Sequence, residues 1–150
     1  MRPIKRIFIH CSDSWWGTSD VICEWHRARG WRGVGYHFTV NNGFPTYKSW
    51  VDYKYQLERD GLIEVGRDIR FTGAHVFGHN LDSIGICLIG RRLFSYKQLS
   101  KLTEHVHLLC NQYKIPMDRE HIKGHYELDS GKTCPNIDMR WLLDLFRKMD

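Results

Sequence analysis

Ile84-Gly85-Ile86-Cys87-Leu88-Ile89-Gly90 is an almost unbroken apolar run closed by glycine. A strand with one wet face alternates polar and apolar residues, so a run like this reads as a strand covered on both faces. It is placed at the centre of a sheet. Upstream, Ile7, Phe8 and Ile9 make a second buried strand, Lys5 to His10, ending at His10-Cys11-Ser12. Gly35 to Val40 (Gly-Tyr-His-Phe-Thr-Val) is aromatic and β-branched, Asn42-Gly43 reads as a hairpin-type turn, and Asp60-Gly61 as a turn before a strand Leu62–Val65.

Helices fill the rest. Thr18-Ser19-Asp20 offer N-caps to a helix carrying Val21, Ile22 and Trp25, with Gly30 as its stop. Ser95 caps a long helix in which Leu99, Leu102, Val106, Leu109 and Tyr113 recur at helical spacing until Pro116. A last helix starts near Asp138 and carries Trp141, Leu142, Leu145 and Phe146. The pattern predicts an α/β (α+β) domain, a central mixed β-sheet flanked by helices in three layers. No repeat or linker divides the chain, so residues 1–150 are expected to form a single domain.

The chain has 150 residues, 42% hydrophobic and 26% charged, which excludes disordered and transmembrane classes; no membrane insertion is expected. Lys and Arg number 22 against 17 Asp and Glu, a formal charge of +5 that favours polyanionic surroundings. The apolar run after Met1-Arg2-Pro3 is too short for a signal peptide, so synthesis in a cytoplasm is expected. Five cysteines cannot all pair within one chain, and their even scatter reads as reduced thiols. Cys11, Cys23, Cys87 and Cys110 are assigned to the interior.

Two of the nine histidines stand out. His10 falls at the carboxyl end of a buried strand, where open sheets present functional side chains. His125 is followed, after the polar Asp129-Ser130-Gly131, by Lys132-Thr133-Cys134-Pro135. The separation of His125 and Cys134 is too wide for one helical face and implies a loop that folds back. Two imidazoles and a thiolate form a normal ligand set for catalytic zinc, and a Cys-His hydrolase built on Cys134 and His125 is the alternative. His37 is read as structural, and His26, beside Trp25, as a surface or packing residue.

Ordered segments running almost end to end carry a resemblance. They are Ile7-Phe8-Ile9-His10-Cys11-Ser12, Trp25-His26 to Gly30-Trp31, Gly35-Tyr36-His37-Phe38, Asp60-Gly61 to Gly66-Arg67, Gly73-Ala74-His75 with Gly78-His79-Asn80, Ser83 to Leu88, and Gly124-His125 with Lys132-Thr133-Cys134-Pro135. The chain resembles the type 2 N-acetylmuramoyl-L-alanine amidases, zinc hydrolases that include phage lysozymes of the amidase kind and animal peptidoglycan recognition proteins. The resemblance implies that His10, His125 and Cys134 bind Zn2+, that Tyr36 and Lys132 are catalytic, and that His75 and Asn80 contact substrate. It implies hydrolysis of the amide joining N-acetylmuramic acid to L-alanine of the stem peptide, with bacterial peptidoglycan as partner and the cell wall as the place of action. A short chain without a wall-binding module suggests a phage or prophage endolysin, expected to be a monomer.

The family also leaves two other readings. One is a non-catalytic peptidoglycan-binding module; the other is a regulator of phage RNA polymerase. Residues 44–59, rich in rings, depart from the small phage enzymes as an insertion. They read as an added hairpin or lid over the cleft, or as a self-packed excursion. The Trp15-Trp16 pair reads equally as a sugar-stacking platform or a packed loop.

Overall fold

A computed structural model describes residues 1–148. Five strands share one mixed sheet: β1 (Arg6–Cys11), β2 (Phe38–Asn42), β3 (Asp60–Val65), β4 (Ser83–Leu88) and β5 (Ile122–Gly124), in the order β3-β2-β4-β1-β5. The apolar run opening at Ile84 is the central strand, as expected, and every residue of β4 is buried. β1 runs parallel to β4 and β5, β2 runs parallel to β4, and β3 closes one edge antiparallel to β2.

Alternation along the strands divides the core. Ile7 and Ile9 of β1, with Ile84, Ile86 and Leu88 of β4, face α3 (Tyr96–Tyr113) and α4 (Met139–Lys148) through Leu102, Val106, Leu109, Leu142, Leu143 and Phe146. The opposite face packs Cys87 and Ile89 against Ile22 of α1 (Ser19–Ala28). This is the three-layer arrangement expected. The helix starts follow their caps: Thr18 Oγ1 accepts from Val21 N–H, and Ser95 exchanges hydrogen bonds with Gln98 in a capping box.

Two turn readings are corrected. Asp60-Gly61 lies inside β3, where the register shifts opposite Val40 and Asn42 and Gly61 takes a φ of +84°. A glycine with positive φ in a strand is the mark of a bulge, and it carries the same local sequence signal as a turn. Asp60 itself is buried and accepts hydrogen bonds from Tyr55 and Ser95, tying β3 to α3. Asn42-Gly43 is not a two-residue hairpin turn; it leads into α2 (Tyr47–Val51), capped by Thr46, and a 3-10 turn over Leu57–Arg59.

Residues 44–59 are therefore no added hairpin. Their rings pack on one another and on the loop after β1: Trp15 stacks on Trp50 with centroids 5.7 Å apart, and Trp16 meets Trp25 and Tyr47 edge-on. Trp15 and Trp16 thus belong to a packed loop. The last helix departs in one residue, since Trp141 is half exposed while Leu143 takes its place in the core.

Candidate metal centre

His10, the penultimate residue of β1, lies on the face opposite Ile7 and Ile9, fully buried beside parallel β4 and β5. β5 runs directly into a 3-10 turn, His125–Glu127, so His125 leaves the sheet next to β1. The following loop folds back as its sequence implied, because Tyr126 N–H donates to the Cys134 carbonyl at 2.9 Å. One ligand atom from each of His10, His125 and Cys134 lies within 4.8 Å of the others. The His10 and His125 ring centroids are 4.8 Å apart.

These donors fit zinc on their own chemistry. His10 Nε2 is hydrogen-bonded to His75 Nδ1 at 2.9 Å, whereas His10 Nδ1 is buried with no partner among the described residues. A buried ring nitrogen left bare is costly unless something occupies its lone pair. Burial first, then the neighbouring His75 and His125, push the His10 pKa well below its ordinary value, so the ring is neutral and able to ligate. The Cys11 N–H donates to Cys134 Sγ at 3.0 Å, a bond that favours sulfur as a thiolate. Hydrogen-bonded to the Cys11 thiol and partly buried, however, the Cys134 thiol is held well above its ordinary pKa, a balance that a cation at the site would reverse.

Tyr36 approaches from the segment before β2, its ring 4.9 Å from that of His10. Burial raises its pKa well above the ordinary value, so it stays protonated and remains a hydrogen-bond donor. Lys132 stands exposed on the rim of the cleft, and its ammonium contributes, after burial, to lowering the His125 pKa. Tyr36, His75, His125, Lys132 and Cys134 all border one cleft, about 340 Å³ in volume.

His75 and Asn80 lie on the same loop. His75 is mostly buried behind His10, and Asn80 Oδ1 accepts the His75 and Val76 N–H groups at 2.9 Å each, with both residues bordering an extension of the cleft. Residues 44–59 contribute nothing to either wall; they line a separate groove with Leu93 and Phe94. The lid reading is thereby set aside.

His37 is structural, as expected, with Nδ1 accepting the Gly85 N–H and Nε2 donating to the Phe71 carbonyl. Of the two readings of His26, surface or packing residue, the second holds: it is buried against Trp31 and Tyr36, and its Nδ1 accepts the Gly35 N–H at 2.9 Å, anchoring the segment that presents Tyr36. Burial pushes both rings down to about 4. Trp31 and Arg29 on the cleft wall, and the almost fully exposed Phe77 beside it, were not singled out from sequence. Their only signal was a large side chain in a loop. All five cysteines are free, with Cys23 half buried rather than interior.

Comparison with known proteins shows the family and the fold. Residues 1–137 match the family model described as N-acetylmuramoyl-L-alanine amidase. The endolysin of Enterobacteria phage K11 is 32% identical over 151 residues, covering 92% of this chain and 85% of the phage protein. The endolysin of Escherichia phage T7 is 31% identical, covering 90% and 83%. Among solved structures, the N-acetylmuramoyl-L-alanine amidase LysC from Clostridium intestinale superposes with a TM-score of 0.76 at 24% identity, covering 97% of this chain and 87% of LysC. Drosophila PGRP-LB gives 0.67 at 23%, covering 90% and 76%, and shares the fold.

Proposed function

Because the chain belongs to the N-acetylmuramoyl-L-alanine amidase family, we propose that it is a zinc-dependent peptidoglycan hydrolase that cuts the amide between N-acetylmuramic acid and L-alanine of the stem peptide. Its biological role in this reading is that of a phage or prophage endolysin acting at the cell wall, as its endolysin relatives suggest. The observation that carries the proposal is the buried His10 Nδ1, without a partner among the described residues, on a ring whose ligand atom lies within 4.8 Å of those of His125 and Cys134 at the floor of the cleft that these two border.

Bound at these three residues, zinc supplies a Lewis acid and brings the pKa of water towards neutrality. The protein's own groups do the rest. Tyr36, kept protonated by burial, donates a hydrogen bond to the oxyanion that develops on the scissile carbonyl. The Lys132 ammonium, on the lining of the same cleft, adds positive charge for the same oxygen and holds a proton for the departing amine. His26 and His37 hold the backbone on either side of Tyr36. The formal charge of +5 assists encounter with an acidic stem peptide and anionic wall polymers.

A pure binding module has no need of a thiolate ligand or of a buried phenol donor beside it, which favours the hydrolase over the receptor reading. Digestion of purified peptidoglycan tests the reaction. Stem peptides are expected to appear without new reducing sugar ends, and reducing ends would mean a glycosidase instead.

A further inference from the structure

We propose that His75 is a positioning residue that fixes the tautomer of His10, through a one-way hydrogen-bond relay reaching back to Ser83 and the His79 carbonyl. The proposal rests on the zinc reading of His10, His125 and Cys134, and it assigns His75 a task other than contact with substrate.

The direction of the relay follows from its far end. Ser83 Oγ lies 2.8 Å from the His79 carbonyl, which can only accept, so the hydroxyl proton is committed there. The same oxygen faces His75 Nε2 at 3.4 Å and has only lone pairs left to offer. The proton of a neutral His75 therefore belongs on Nε2, leaving Nδ1 bare. His75 Nδ1 is 2.9 Å from His10 Nε2 and must accept its proton. What remains is a bare Nδ1 on His10, the buried atom with no partner among the described residues. In the opposite arrangement, His10 would be left with its proton at the ligand position and a second lone pair would face Ser83.

The surroundings are cut to the shape of the His75 ring. A Cβ at Gly85, in the middle of the central strand, would lie 2.6 Å from the ring, and one at Gly73 would also meet it at 2.6 Å. The Asn80 side chain fixes the backbone on the other side by accepting the N–H groups of His75 and Val76. His37, with its ring centroid 5.8 Å away, has both nitrogens engaged by Gly85 and Phe71 and cannot compete for the relay.

Metal-ligating histidines almost always give their second N–H to a carboxylate, a backbone carbonyl or water. Here a neutral imidazole takes that place. It orients His10 without adding a negative charge behind the site, so the only anionic ligand is Cys134.

Two readouts independent of hydrolysis test this. In the zinc-free, 15N-labelled protein, long-range proton-nitrogen correlations should show His10 protonated only at Nε2 and His75 only at Nε2. In His75→Ala, His10 should become a mixture of tautomers, and zinc affinity in competition with a chromogenic chelator should fall by roughly 10–100-fold. His75→Gln, whose side-chain oxygen can accept the same proton, should recover part of the loss. A folded His75→Ala protein with wild-type zinc affinity and an unchanged His10 ring would overturn the proposal, as would wild-type His10 protonated at Nδ1. If His75→Ala does not fold, Ser83→Ala, which leaves His75 in place, should mix the His75 tautomers and weaken zinc binding; no change in either overturns the relay. A wild-type protein with the expected tautomers that takes up no zinc would instead overturn the metal reading.

Discussion

Along β1, Ile7 and Ile9 pack under α3 and α4 while Phe8 and His10 turn to the other face; along β4, Ile84, Ile86 and Leu88 share the first face, and Gly85 and Cys87 the second. The two surfaces come from alternate residues of the same strands. The first is filled mainly by apolar volume, with Gln98 of α3 donating to the Val40 and Ile89 carbonyls at its rim. On the second, His26, His37 and His75 each have a specific partner: the Gly35 N–H, the Gly85 N–H and His10 Nε2. One face supplies stability through removal of apolar area from water, and the other spends buried polar groups on fixing a cluster of donors.

Substitutions that respect this division should separate stability from chemistry. The largest effect is expected on the aliphatic face, where Leu142 is completely buried among α4, α3 and the sheet. Leu142→Ala should remove about 2–5 kcal/mol of unfolding free energy, measured by denaturant titration, with zinc affinity of the folded protein unchanged. Altered zinc binding at constant fold would mean the faces are coupled. On the polar face, Tyr36→Phe should lower the turnover number by about 10²-fold or more, with denaturation midpoint and zinc content unchanged. A loss expressed mainly in KM would place Tyr36 in substrate binding rather than at the developing oxyanion.

The aliphatic face was readable because its signals are periodic. The apolar run from Ile84 and the repeat of Leu102, Val106 and Leu109 mark β4 and α3, Ser95 sets the start of α3 to the residue, and Thr18-Ser19-Asp20 bracket the start of α1. β5 escaped because three residues, Ile122–Gly124, carry no period. Gly61 reads as a turn in sequence because a bulge needs the same positive φ. The burial of Asp60 depends on Tyr55 and Ser95 and has no local signature.

The polar face was legible in a different way. His10, His125 and Cys134 were singled out by strand position and by the order of motifs, and the structure brings them together. Their supports were not visible. His26 read as a surface or packing residue because the hydrogen bond to Gly35 depends on the loop after α1 turning back. The pairing of His10 on β1 with His75 in the loop before β4 joins residues far apart in sequence over Gly85 of β4, and no spacing rule reports it. Residues 44–59 show the converse limit, since a density of rings marks packing and does not say against what.

The central claim is that the polar face assembles a zinc centre from β1, the turn after β5 and the returning loop. Metal analysis of the wild-type protein beside Cys134→Ser, both equilibrated with zinc and then freed of excess, tests it most directly. The wild type should retain about one zinc per chain, as expected of a site with three protein ligands, and Cys134→Ser, equally folded by circular dichroism, should retain much less. Equal zinc in both proteins, or none in the wild type, would contradict the account.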